Sequence, residues 1–157
     1  MKNLVLLFAL AAAAGFTPHA IAQGSASVTP VADVTFTLRT AIHEGRMVFV
    51  GDAGAIKGEI NPDLKVEEGA VVAITLVNGD GAMHDIAVPE FGAQSDQLIG
   101  DGAATTIVFR ATKGGRFEYW CTIPGHKAAG MSGMLIVGDV EETESTALKV
   151  GKDPAEV

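Results

Sequence analysis

Cysteine occurs once in this chain, at Cys121, inside the run Tyr119-Trp120-Cys121-Thr122-Ile123-Pro124-Gly125-His126-Lys127-Ala128-Ala129-Gly130-Met131. A thiol, an imidazole and a thioether follow one another there at five-residue steps. A second imidazole, His84, lies well upstream in Met83-His84-Asp85. One cysteine and two histidines in a rough plane, with a weak axial methionine, form the ligand set of a mononuclear copper site that passes single electrons. A soft thiolate and thioether beside imidazoles suit copper far better than calcium or magnesium.

Each of these residues also has a plainer reading. A lone cysteine is commonly a small buried hydrophobe and a methionine is core filler, and His84 by itself could be a core or turn histidine. The shared spacing inside a Pro-Gly turn favours the metal. Met134 competes with Met131 for the axial place, but it sits in the apolar run to Val137, where packing accounts for it, and Met131 is preferred. Met83 is a further packing candidate. His43 has no partner spacing and reads as an exposed loop or helix-end residue. Nucleophilic catalysis by Cys121 with His126 finds no Asn or Asp to orient the imidazole and leaves Met131 without a role. A dinuclear copper site needs two bridging cysteines. Copper storage calls for exposed Met- or Cys-rich ligands.

Short strands separated by turns must position this set. Val34 to Arg39, Thr105 to Arg110 and Arg116 to Trp120 alternate apolar and polar residues. Met47 to Val50, Leu64 to Val66, the β-branched Val71 to Val77, Asp85 to Val88 and Met134 to Val137 complete the series. Asn78-Gly79-Asp80-Gly81 and Lys113-Gly114-Gly115 read as turns. The pattern predicts an all-β fold, an antiparallel Greek-key β-sandwich. Ala41 to Arg46 is the one place where a helical turn is expected. Cys121 should end a strand, with Pro124 and Gly125 returning His126 to the metal and Ala128-Ala129-Gly130 returning Met131. His84 should begin a strand of the opposite sheet.

The first residues read as a signal peptide. Lys2 supplies the positive end, Leu4 to Ala14 the apolar run and Ala20-Ile21-Ala22 the cleavage site. The apolar run is too short to span a membrane. Cleavage after Ala22 implies a periplasmic or otherwise exported protein. It leaves 135 of the 157 residues, enough for one domain with a real core. Losing Lys2 takes the formal charge from −8 to −9. That charge argues against nucleic-acid binding and fits both a basic redox partner and ordinary solubility. Residues 23–33 read as an N-terminal extension, 34–139 as the domain and 140–157, with Glu141-Glu142-Thr143-Glu144, as an acidic tail or linker.

The Cys121–His126 run with Gly130-Met131 and Gly133 resembles the cupredoxins, the blue-copper proteins, most of all the auracyanin-like branch with its longer ligand spacings. Asn61-Pro62-Asp63-Leu64, Asn78-Gly79-Asp80, His84-Asp85 with Pro89, and Gln94-Ser95 are similar to the extra N-terminal cupredoxin domain tethered to some copper nitrite reductases. The resemblance covers roughly Val34 to Asp139. It implies a Greek-key sandwich of about eight strands and one type 1 copper ion bound by His84, Cys121, His126 and Met131. It also implies an electron port at His126, collared by Ile123, Pro124, Ala128 and Ala129. The implied function is electron transfer, with a redox protein such as a c-type cytochrome or a copper reductase or oxidase as partner. The alternative is an electron-transfer domain of a larger copper nitrite reductase. Two residues depart from the pattern. Asp85 stands where many cupredoxins have Asn, and an ionised carboxylate accepts hydrogen bonds without donating them. Trp120 stands where similar nitrite reductases place the histidine that ligates a catalytic copper. A catalytic copper needs about three imidazoles with an open position, and once His19 is lost with the expected signal peptide only His43 is left to supply them. An enzyme is therefore not expected from this chain alone.

Overall fold

The computed structural model describes residues 31–139. The expected signal peptide, most of the extension and the acidic tail lie outside the described residues. Among the described residues there are nine strands and two 3₁₀ turns. The strands are β1 (Val34–His43), β2 (Arg46–Gly51), β3 (Leu64–Val66), β4 (Val71–Val77), β5 (Ala87–Val88), β6 (Ala93–Gln94), β7 (Ala104–Arg110), β8 (Gly115–Trp120) and β9 (Ser132–Val137). They form two sheets, one in the order β2-β1-β4-β7 and the other β3-β9-β8-β5-β6.

The all-β Greek-key expectation holds, with two parallel pairings inside it. β1 runs parallel to β4 and β3 parallel to β9, while the other pairs are antiparallel. Parallel neighbours need a long crossover. The chain supplies one each time it passes through the other sheet, as when β2 and β3 intervene between β1 and β4. Asp33 joins this pairing ahead of β1: its N–H donates to the Val71 carbonyl at 2.8 Å and its carboxylate accepts the Val71 N–H at 2.8 Å.

The helical turn expected at Ala41 to Arg46 is instead a β-hairpin. β1 continues to His43, which pairs with Arg46, and Glu44 and Gly45 turn the chain with φ of 50° and 75°. Two positive φ values mark the two-residue turn whose twist matches the flanking strands. That turn chemistry outweighed the helix-compatible residues around it. His43 lies exposed at the strand end.

Alternation along each strand sends one face inward. Leu38, Phe49, Val72, Ile74, Leu76 and Ile107 from one sheet meet Leu64, Val88, Tyr119, Leu135 and Val137 from the other in one buried cluster. Phe49 and Tyr119 face each other across it at 5.5 Å between ring centroids. Cys121 and Met131 belong to the same cluster, so the candidate site is one end of the hydrophobic core.

Candidate metal centre

The connection between β8 and β9 is a closed loop. The Cys121 N–H donates to the Met131 carbonyl at 3.1 Å and the Met131 N–H to the His126 carbonyl at 3.0 Å. His126 in turn donates to the Ile123 carbonyl at 3.0 Å. Cys121 and Met131 thus form the base of the loop and His126 sits over it. The turns need positive φ at Gly125 (88°) and Gly130 (108°), conformations open to glycine at little cost.

His84 comes from a separate connection. It bridges Leu98 through paired backbone bonds of 3.0 and 2.7 Å. The strand that follows, β5, pairs with β8 through Ala87 and Trp120. His84 therefore stands where the chain passes from β4 of one sheet to β5 of the sheet that holds Cys121. The expectation that it would pin the opposite sheet is corrected by this short pairing, which sequence alternation does not disclose.

Three side chains converge. One nitrogen of His84, one nitrogen of His126 and the Cys121 sulfur all lie within 4.8 Å of one another. Cys121 Sγ is 3.4 Å from His126 Nδ1, and the two imidazole rings are 5.1 Å apart at 57°. His84, Cys121 and Met131 are buried; His126 is partly exposed. Met131 is fully buried at the loop base, and Met134 of β9, paired with Glu118 of β8, sits half-buried on the opposite side of the strand from the inward-facing Leu135.

His84 Nδ1 is buried without a hydrogen-bond partner among the described residues. Leaving a buried polar atom unpaired costs about 1–3 kcal/mol. His84 Nε2, the other ring nitrogen, lies 2.8 Å from Asp80 Oδ1. An orphaned imidazole nitrogen beside a thiol and a second imidazole is the donor set of a transition-metal site. Burial raises the Cys121 thiol pKa above its usual range, so the free site keeps it protonated. Burial, and then the nearby His84, lower that of His126, which favours the neutral ring a metal requires.

Residues beyond the predicted set hold the loops. Asp85 is fully buried; its carboxylate accepts the Thr122 N–H at 2.5 Å, the Thr122 hydroxyl, and Gln94 Nε2 at 3.3 Å. As an acceptor it ties the His84 connection to the Cys121 loop, so the tie survives with aspartate in place of asparagine. Asn61, at φ 47°, donates from Nδ2 to the Gly130 carbonyl at 2.8 Å and accepts the Phe49 N–H on Oδ1 at 2.9 Å. Asn78, fully buried, gathers its own turn: Oδ1 accepts the Gly81 N–H at 2.9 Å and Nδ2 donates to the Ala82 carbonyl at 2.6 Å. Asn78 reads as a turn residue in the sequence and Asn61 enters there only through the family resemblance; the contact of Asn61 with Gly130 has no signal in the sequence. Trp120 is half-buried under Lys127, whose Nζ lies 3.8 Å from the ring centroid and 2.6 Å from Glu118 Oε2.

This chain belongs to the copper-binding plastocyanin/azurin family, whose model matches residues 37–138. The cupredoxin resemblance seen in the sequence is thereby borne out. It is 32% identical over 92 residues to the copper-resistant cuproprotein CopI of Rubrivivax gelatinosus, covering 47% of this chain and 56% of that protein. It is 30% identical over 115 residues to a copper-containing nitrite reductase of Alcaligenes faecalis, covering 62% of this chain and 31% of the enzyme. The chain thus spans between about a third and just over half of these relatives' lengths. Its fold is similar to that of auracyanin B, with a TM-score of 0.52 and 23% identity over 70% of this chain and 92% of the other.

Proposed function

We propose that this protein carries single electrons on one type 1 copper ion bound by His84, Cys121, His126 and Met131. The observation that carries the reading is the convergence of two imidazole nitrogens and the only sulfhydryl of the chain, with His84 Nδ1 buried and without a hydrogen-bond partner among the described residues. When bound, copper supplies the Cu(II)/Cu(I) couple. Cys121 gives up its proton and serves as the strong thiolate ligand, and His84 and His126 donate as neutral rings. Met131 would offer its thioether to the ion and tune the potential. The folded core and the loop ties hold all four residues in place, so little rearrangement accompanies electron transfer. His126 is the partly exposed member and is the port. A c-type cytochrome or a copper reductase or oxidase fits as partner.

Export to the periplasm follows from the signal-like first 22 residues. Among the described residues no helix is long and apolar enough to cross a membrane. A second reading, an electron-transfer domain of a larger copper nitrite reductase, is favoured by one observation: relatives in Alcaligenes faecalis and Rhizobium sullae are such enzymes, and the chain aligns with about a third of each. Trp120 beside Cys121 supports relay over catalysis in this chain under either reading.

The test is direct. Copper-loaded oxidised protein is expected to absorb strongly near the red end of the visible range and to turn over no nitrite with an artificial donor. Lack of that band would remove the type 1 assignment, and nitrite turnover would overturn the carrier role. The axial assignment has its own test. Met131→Leu should keep copper and colour and raise the potential, whereas Met134→Leu should leave the potential unchanged. The reverse result in a redox titration would exchange their roles.

A further inference from the structure

The turn Asn78-Gly79-Asp80-Gly81 does more than reverse the chain. Asp80 Oδ1 lies 2.8 Å from His84 Nε2 and also accepts the Ala82 N–H at 3.0 Å. The turn is itself clamped: Asn78 Oδ1 accepts the Asp80 and Gly81 N–H groups at 3.3 and 2.9 Å, and the Gly79 N–H donates to Thr40 Oγ1 at 3.0 Å. Gly79 has no room for a side chain, since a Cβ there would stand 2.4 Å from the Thr40 carbonyl oxygen. The carboxylate is therefore presented to His84 by a rigid frame. Its second oxygen, Oδ2, is buried without a hydrogen-bond partner among the described residues.

We propose that Asp80 is a positioning residue that holds His84 in the Nε2–H tautomer, aims the Nδ1 lone pair into the ligand cluster and, through the ring, holds the copper potential down. The inference rests on the copper reading for its last part only. A carboxylate accepts and does not donate, so the shared proton resides on His84 Nε2 and Nδ1 is left free to ligate. A carboxylate behind a ligating imidazole also raises its basicity, which stabilises the more highly charged cupric ion over the cuprous one.

The apoprotein tests the first part without metal. Nitrogen-15 NMR of the His84 ring should show the Nε2–H tautomer alone in the native chain and a mixture of tautomers in Asp80→Ala. A native ring with Nδ1 protonated, or a variant that keeps the single tautomer, would overturn the assignment. Asp80→Asn keeps an acceptor oxygen for both Ala82 and His84 but loses the charge, so it preserves the fold. Its copper form should keep its colour and show a higher potential; an unchanged or lower potential would overturn the electrostatic part. In Asp80→Ala, copper affinity measured by chelator competition should fall about 10- to 100-fold, and native affinity would contradict the proposal. If the native protein shows no red-end band, the copper reading fails by itself and the tautomer result still stands or falls on the apoprotein spectrum.

Discussion

Cys121→Ser is expected to abolish the visible band of the copper-loaded protein completely. The band requires a deprotonated sulfur bonded to the oxidised ion, and this chain has no second cysteine to replace it. A serine hydroxyl is a harder donor with a far higher pKa, so the metal does not deprotonate it as it does a thiol. The variant should still fold. Cys121 is buried, but the hydroxyl is close in size and can donate to His126 Nδ1, which lies 3.4 Å from Sγ. The spectrum of the copper-loaded variant, with circular dichroism as the folding control, reads both points. A folded variant that keeps its colour would end the thiolate assignment.

Tyr119→Ala is expected to produce the largest loss of stability, about 3–5 kcal/mol, from the lost burial and the cavity left behind. Tyr119 is fully buried, packs on Phe49 at 5.5 Å and donates its hydroxyl to the Pro62 carbonyl at 2.8 Å. Burial raises its pKa far above the usual phenol range, so it remains a neutral donor. The packing is tight on the other side as well: a Cβ on Gly133, opposite it in β9, would stand 2.4 Å from the Tyr119 hydroxyl oxygen. A loss of that size is a large share of the roughly 5–15 kcal/mol that holds a small domain together. Tyr119 also lies two residues before Cys121, so the cavity opens beside the ligand loop. Tyr119→Phe keeps the ring and should cost only about 1 kcal/mol, the worth of one hydrogen bond. Denaturant unfolding of the two apoproteins measures the difference, and near-equal costs would mean that the ring does not bridge the sheets as described.

Much of the architecture was legible before the structure. The strands around Thr105–Arg110 and Arg116–Trp120 appear almost where alternation places them, because one face of each meets the core and the other is more open to water, and β4 appears where the β-branched run Val71–Val77 places it. The short elements were not legible. β6 has two residues, too few for a period to show. The hairpin at Glu44-Gly45 departs from the helical turn expected there because its signal lies in two positive φ values rather than in hydrophobicity. The sheet that β5 joins was invisible for the same reason of length.

The chemistry of the site was determined by the sequence alone, because metal preference follows from ligand type and a thiol, an imidazole and a thioether at five-residue steps are ligand types read directly from the chain. What only the tertiary structure decided is how His84 enters and what stands behind it. A hydrogen bond between residues 37 or 69 positions apart, as in Asp85 to Thr122 and Asn61 to Gly130, depends on where two loops meet in space, and the one from Asp80 to His84 depends on how their own turn folds against Thr40. Asparagine and aspartate favour turns wherever they occur, so their residue types report the turn and not the partner. The position of Asp80 behind the buried imidazole is therefore set by the folded turn that Asn78 clamps and Thr40 anchors.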